Sequence, residues 1–319
     1  MNRIITFVKQ SPSLCSLIVG TVIYLLFSRI SFLMPIGDFM GPKLTEVMPA
    51  VIFCILYVTF CKIQIHDLKP RTWHFILQII RTSLAALMVG LLTLTHNPEF
   101  RLIFEGMFVC FICPTAAAAA VVTDKLGGSI ASMTVYLLIA NAFTAIIIPT
   151  FFPLVERGSG LTFTMAFLMV LQRVLTVLVA PLLLAFLTRR FLPKLAGWLK
   201  RQKNLAFYLW SFNLSIVMGL AVQSLTSAPV SGHTLFLLCT IPLLICILQF
   251  TIGKAVGAHW GDSITAGQAL GQKNTVVGIW LTLSFLNPYA AISPCSYVIW
   301  QNIVNAIQLY IKEKTGKLK

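Results

Sequence analysis

The sequence predicts an all-α polytopic membrane protein of ten transmembrane helices, arranged as two inverted five-helix repeats, and three observations lead there. First, the chain is 58% hydrophobic and only 10% charged, with a mean hydropathy of +0.88; an ordinary globular domain carries about 25% charged residues. Second, its apolar runs reach the roughly 20 residues a helix needs to cross the hydrocarbon. The short alternating strands of a barrel, the other way to satisfy every backbone group in lipid, do not occur in it. Third, the basic residues segregate to one side of the implied topology.

The first span is read over 12–34. Arg3 and Lys9 precede an apolar run as they would in a signal peptide, but the run continues to about Met34 with no small-x-small cleavage site, so it is a retained helix. The second (44–61) and third (73–94) are separated by the basic segment with Lys62, Lys69 and Arg71; the third carries a polar run from Gln78 to Ser83 that includes Arg81. The fourth (101–124) holds Pro114-Thr115 followed by the alanines Ala116 to Ala120, and the fifth spans 128–152. Gln172-Arg173 interrupts the sixth (161–187); the seventh and eighth follow at 205–225 and 232–253. The ninth (262–286) holds Gly267, Gly271, Gln272, Lys273 and Asn274, and the tenth covers 289–311.

The distribution of charge tests this count. Arg3, Lys9, Lys62, Lys69, Arg71, Lys125, Arg189, Arg190, Lys194, Lys200, Arg201, Lys203, Lys254, Lys312, Lys314, Lys317 and Lys319 share one side, while only Arg29, Lys43, Arg101 and Arg157 lie on the other. Both termini are therefore expected in the cytoplasm, with the protein in the plasma (inner) membrane. Ten spans divide into two halves of five, 1–155 and 156–319, and an odd number per half makes the second insert upside down relative to the first. Inverted repeats of this kind place their site near the midplane, where paired helices break. The fourth and ninth spans occupy equivalent places, and Pro114 in one and Gly267 and Gly271 in the other are suitable breaking residues.

Lys273 is the most informative residue. A lysine at the centre of a spanning helix costs roughly 2.5 to 3.5 kcal/mol on insertion scales, and such residues face a cavity, a partner or a pathway. Arg81 and Arg173 are the other cations inside spans. An arginine fork suits a carboxylate or sulfonate; the alternative is that either one snorkels or bonds loose carbonyls. Thr115, Thr123, Ser129, Ser132 and Thr134 flank the fourth-span break and could supply hydroxyl contacts or serve as interhelical glue. Asn274 and Gln272 can bridge loose backbone groups.

Other classes are disfavoured. The net charge of +15 is dispersed in short loops with no basic stripe, so no nucleic-acid partner is expected. Only nine acidic residues are present, most in loops, with no paired carboxylates for catalysis. The eight cysteines are scattered and mostly within spans, so the Cys110-x-x-Cys113 pair is expected to pack and not to bind metal. His66, His74, His96, His233 and His259 show no ligand spacing. Gly253-x-x-x-Gly257 and Gly267-x-x-x-Gly271 are small-residue packing patterns.

Cys113-Pro114-Thr115 with its alanine run and Gly127-Gly128, Gly271-Gln272-Lys273-Asn274, and the segment from Pro294 to Asn305 (PCSYVIWQNIVN) together resemble the bile acid:sodium symporter family. The resemblance implies a panel domain of spans one, two, six and seven, a core domain of spans three to five and eight to ten, crossed helices four and nine, and organic-anion transport by alternating access. It also implies sodium ligands at four positions, which here are Ala119, Ala120, Ala269 and Lys273. Alanine offers no side-chain oxygen and lysine only N–H donors. The expectation is a secondary transporter of a bile acid-like or small organic anion, sodium-independent, with Lys273 replacing the bound ion, and either facilitated or proton-coupled. It needs no cofactor and no metal, acts on the anion within the lipid bilayer, and is compatible with a monomer. Sodium symport, and from other classes a membrane-embedded enzyme or a channel, are the alternatives.

Overall fold

The computed structural model describes residues 12–62, 69–116, 118–155, 162–202 and 204–315, and the side chains of residues 12–14 and 207 are not included. Arg3, Lys9, His66, Ala117, Arg157, Lys203, Lys317 and Lys319 lie outside the described residues. In chain order the helices are α1 (Pro12–Arg29), α2 (Met34–Lys62), α3 (Thr72–Leu94), α4 (Pro98–Ile112), α5 (Ala119–Leu126) and α6 (Ile130–Val155). Then come α7 (Phe163–Val174), a π turn at Leu175–Val179, α8 (Ala180–Phe191), α9 (Pro193–Arg201) and α10 (Leu205–Ser227). The chain ends with α11 (Gly232–Ala258), α12 (Ser263–Gly271), α13 (Thr275–Phe285), a 3-10 turn at Pro288–Ala291 and α14 (Ile292–Thr315).

Local chemistry sets several of these boundaries. Asn97 caps α4, its side chain accepting from the amides of Glu99 and Phe100, with Pro98 in the first turn where its missing N–H costs nothing. Thr162 and Ser231 cap α7 and α11 in the same way. Gly127 closes α5 at φ +82°, a left-handed conformation that favours glycine.

Among the described residues, six helices are long and apolar enough to cross a membrane: α2, α3, α6, the rod formed by α7, the π turn and α8, most of α10, and α11. That is fewer than the ten expected, and the shortfall has physical causes. The segments read as the fourth and ninth spans are each cut in two, into α4 and α5 and into α12 and α13. α1 is apolar but short. α14 is long enough but buries Ser293, Ser296, Gln301, Asn305 and Gln308, which lowers its hydropathy. α2 starts ten residues earlier than expected and runs through Pro42 and Pro49. α9 was not expected at all.

The outward surface is apolar, as lipid contact requires: Ile79 and Leu87 on α3, Phe186 on α8, and Phe236 and Leu244 on α11 are all exposed. Inside, α10 packs on α1 and α2, and α2 on α8, while α3 packs on α4 and α6, and α11 on α4, α12 and α14. The closest approaches use glycine. A Cβ on Gly20 of α1 would collide with the Ser215 carbonyl of α10 and lie 2.9 Å from Ser215 Cα, and one on Gly253 of α11 would lie 2.9 Å from Gly267 Cα of α12. Both glycines of the Gly253 and Gly257 pair face α12 or its leading turn, so the packing pattern has a specific partner.

Gly253→Ala is accordingly expected to destabilise the protein by about 1 to 3 kcal/mol through overpacking. Its melting temperature in detergent should fall clearly below that of Gly219→Ala, whose new methyl meets Tyr24 Cβ at an ordinary 3.6 Å. Equal melting temperatures would contradict this account of the α11–α12 contact.

Candidate functional site

Proline 114 has no amide proton to continue α4, which ends at Ile112; Cys113 closes the helix, donating its N–H to Val109 O at 3.1 Å. The chain runs extended through Thr115 and Ala116 before α5 begins at Ala119. In the second half, α12 stops at Gly271, and Gln272, Lys273 and Asn274 are non-helical before α13 starts at Thr275. The two unwound segments cross. Thr115 and Lys273 form an antiparallel bridge, with Ala116 N–H donating to Gln272 O at 3.1 Å and Asn274 N–H to Pro114 O at 2.7 Å. Thr115 Oγ1 adds a bond to Ala269 O at 2.6 Å. Each break thus supplies the hydrogen bonds the other has lost, which buried backbone demands.

The Lys273 side chain then turns to the end of α4. It is 1% exposed, and Nζ donates to Phe111 O at 3.3 Å. Arg81, 2% exposed, comes from α3 to the same helix end, donating to Cys113 O at 3.5 Å and to Ala140 O at 3.4 Å. The C-terminus of a helix carries roughly half a negative charge, so two cations are well placed there, yet they exceed it. Among the described residues no carboxylate pairs with either of them. The ion pairs among the described residues are Arg71–Asp262 and Arg101–Glu105, neither involving these cations. All the bonds made by the two cationic groups are longer than the roughly 2.7 to 2.9 Å of charge-assisted bonds. The centre of the crossing is therefore a buried place where two basic side chains meet backbone carbonyls.

Residues to which the sequence reading assigned no role complete it. Gln301 of α14 clasps Lys273 from both sides: its Oε1 accepts from Lys273 N–H at 2.8 Å and its Nε2 donates to Lys273 O at 3.3 Å. Tyr297, one turn earlier, donates to Gly271 O at 2.8 Å, and Gln249 donates to Cys110 O and to the Tyr297 hydroxyl. Gln272 Nε2 donates to Gln268 Oε1 at 2.5 Å, and Gln268 in turn donates to Gln308 at 2.9 Å. Tyr297, Gln301, Asn305 and Gln308 recur at helical spacing on the buried face of α14. That polar stripe in an apolar span was the signal that could have found them.

The structure brings Lys273, Asn274, Gln272, Thr115 and Arg81 together and leaves two candidates apart. Thr123 is buried on α5, packed beneath Gly128 beyond the crossing. Arg173 is exposed on α7, donating to Ser284 Oγ at 3.3 Å with its guanidinium 5.2 Å from the Phe285 ring centroid. Ser284 lies ten residues past Asn274, about 15 Å along α13 at 1.5 Å per residue. Ser129 and Ser132 are engaged elsewhere, the amide of Ser129 with Thr265 and the hydroxyl of Ser132 with His74. All eight cysteines are free thiols; Cys113 Sγ packs where a Cβ on Gly278 would sit.

The donor set at the expected ion positions does not fit sodium. Ala119 and Ala269 are buried methyl groups, Ala120 is a half-buried one, and Lys273 ends in an amine. The carbonyls of Phe111, Ala269 and Gly271 already accept from Lys273, Thr115 and Tyr297. A hard cation needs oxygen donors, and the side chains at these four positions supply none.

Compared with known protein families, the chain matches the model of the SBF-like CPA transporter family over residues 64–312. No curated protein matches it.

Replacing Gln301 by leucine would strand two buried backbone groups of Lys273, at about 1 to 3 kcal/mol for each unsatisfied group. Q301L is therefore expected to lower the melting temperature markedly, and an unchanged value would show that the clasp does not hold the crossing.

Proposed function

Because the chain belongs to the SBF-like CPA transporter family, and is thus a multi-pass membrane transporter and not an enzyme, we propose that it moves an organic anion by alternating access without sodium. The substrate class is a bile acid-like molecule or a small carboxylate, carried across the plasma membrane with both termini cytoplasmic. The supporting observation is the arrangement of Lys273 and Arg81, two buried basic side chains at one helix end that form no ion pair among the described residues. Leaving buried charge uncompensated is costly. A ligand carboxylate entering this region would find N–H donors and a positive field, and it would be attracted more strongly there than in water.

The reading extends to architecture. The two halves, 1–155 and 156–319, each contribute one broken helix, and the breaks meet antiparallel, as inverted repeats would bring them. α1, α2, the α7–α8 rod and α10 form the panel, while α3 to α6 and α11 to α14 form the core. The contacts of α10 with α1 and α2, and of α11 with α4, α12 and α14, favour that division. In relatives that use sodium, a mobile ion would hold the crossing and dissociate each cycle; here the ammonium is tethered to the chain. Binding of substrate and binding of sodium are then uncoupled.

Uptake into proteoliposomes tests this, using a labelled bile acid and a labelled short carboxylate. Replacing sodium by choline should leave the initial rate unchanged, and loss of most of the rate would overturn sodium independence. Truncating one partner of a desolvated charge pair costs about 2 to 5 kcal/mol, so K273Q should lower uptake more than about tenfold. Undiminished uptake by the folded K273Q variant would remove Lys273 from the site.

A further inference from the structure

The helix that the sequence reading missed carries an interaction surface separate from the crossing. α9 (Pro193–Arg201) follows α8 after a single residue and has the most strongly two-sided sequence of any described helix. Ala196 and Leu199 are buried, seating it on α2 and α8, and Lys62 at the end of α2 donates to Gln202 O at 2.8 Å just beyond it. Leu195 (41% exposed) and Trp198 (47%) continue the apolar side outward, joined by Phe191 (70%) and Leu192 (55%) at the α8–α9 corner. Lys194 and Arg201 sit on the opposite flank.

The segment is rich in basic residues and has no acidic neighbour in the sequence. Arg189, Arg190, Lys194, Lys200 and Arg201 fall within thirteen residues, and no acidic residue occurs anywhere from 157 to 261. None of the five makes an ion pair among the described residues. An amphipathic helix too short to span, with a tryptophan and leucine edge and a basic flank, lies in the plane of the headgroups, where its apolar edge enters the acyl boundary and its cations meet lipid phosphates. A soluble acidic partner would match the cations but leave Phe191, Leu192, Leu195 and Trp198 in water.

We propose that the α8–α9 corner is a binding surface for anionic phospholipid in the leaflet that it faces. The occupant is a lipid because the apolar edge is continuous with the lipid-facing side of α8, and an anionic one because the segment bears five cations and no acid. Since α9 is seated on α2 and α8, the lipid also fixes the depth of these helices. On the transport reading above they belong to the stationary panel, though the lipid preference itself does not depend on that reading.

The experiment uses the full chain in phosphatidylcholine proteoliposomes doped with spin-labelled phosphatidylglycerol or spin-labelled phosphatidylcholine. Electron paramagnetic resonance gives the motionally restricted fraction of each. Wild type should restrict phosphatidylglycerol several-fold more strongly, with the preference falling as salt is raised. The variant R189Q/R190Q/K194Q/K200Q/R201Q should show no preference, while K69Q/K314Q, which removes cations elsewhere, should retain it. No preference in wild type, its persistence in the five-fold variant, or an equal loss in K69Q/K314Q would overturn the proposal. Should the five-fold variant fail to insert, L195S/W198S is read in the same way.

Discussion

A chain that unwinds inside a membrane must find hydrogen-bond partners within the protein, because lipid offers none and each unmet backbone group costs several kcal/mol. In this protein the two unwound segments meet that requirement in each other. The antiparallel pairing of Thr115 with Lys273, reinforced by the bonds of Ala116 to Gln272 and of Asn274 to Pro114, is the constraint on which the rest of the interior depends. It fixes where α4 and α12 end, where α5 and α13 begin, and therefore which side chains of α3 and α14 must line up to serve the remaining carbonyls. Gln301, Tyr297, Gln249 and Arg81 all point to backbone atoms at these four helix ends.

The same geometry explains why a cation is tolerated. Breaking α4 at Pro114 exposes carbonyls and concentrates the negative end of a helix dipole in the protein interior. Lys273, projecting from the partner segment, reaches one of those carbonyls, and Arg81 reaches another. Half a charge does not balance two cations, so the site stays electropositive, and a ligand's carboxylate would supply the balance. Thus the break leaves carbonyls that two basic side chains serve, and on the reading proposed above those cations are what an anionic substrate would meet in this member of a transporter family.

Much of this was legible in the sequence. Pro114 and Gly271 mark breaks because of what they do to any helix, and Lys273 stands out because charge is rare in lipid. What could not be read was pairing across distance: nothing local to Thr115 says that it will face Lys273, or that Arg81 will serve the same helix end. Arg173 shows how position along a span differs from position in the fold. It lies centrally in its span by counting, but the buried stripe of the rod runs through Ala166, Val170, Val174 and Leu178, and Arg173 lies beside that stripe, exposed. α9 was overlooked because its nine residues contain too many charges for a span and too few turns to display a period, although its burial of Ala196 and Leu199 makes it a helix with a definite seat.

The central claim is that a tethered ammonium occupies the crossing where a free alkali ion would otherwise bind. An experimental density map of the purified protein in thallium, a heavy surrogate for alkali cations with a strong anomalous signal, tests it most directly. The account predicts side-chain density from Lys273 reaching the Phe111 carbonyl and no thallium peak between the unwound segments. A thallium ion ligated by oxygens at that crossing, with the lysine turned away, would contradict it.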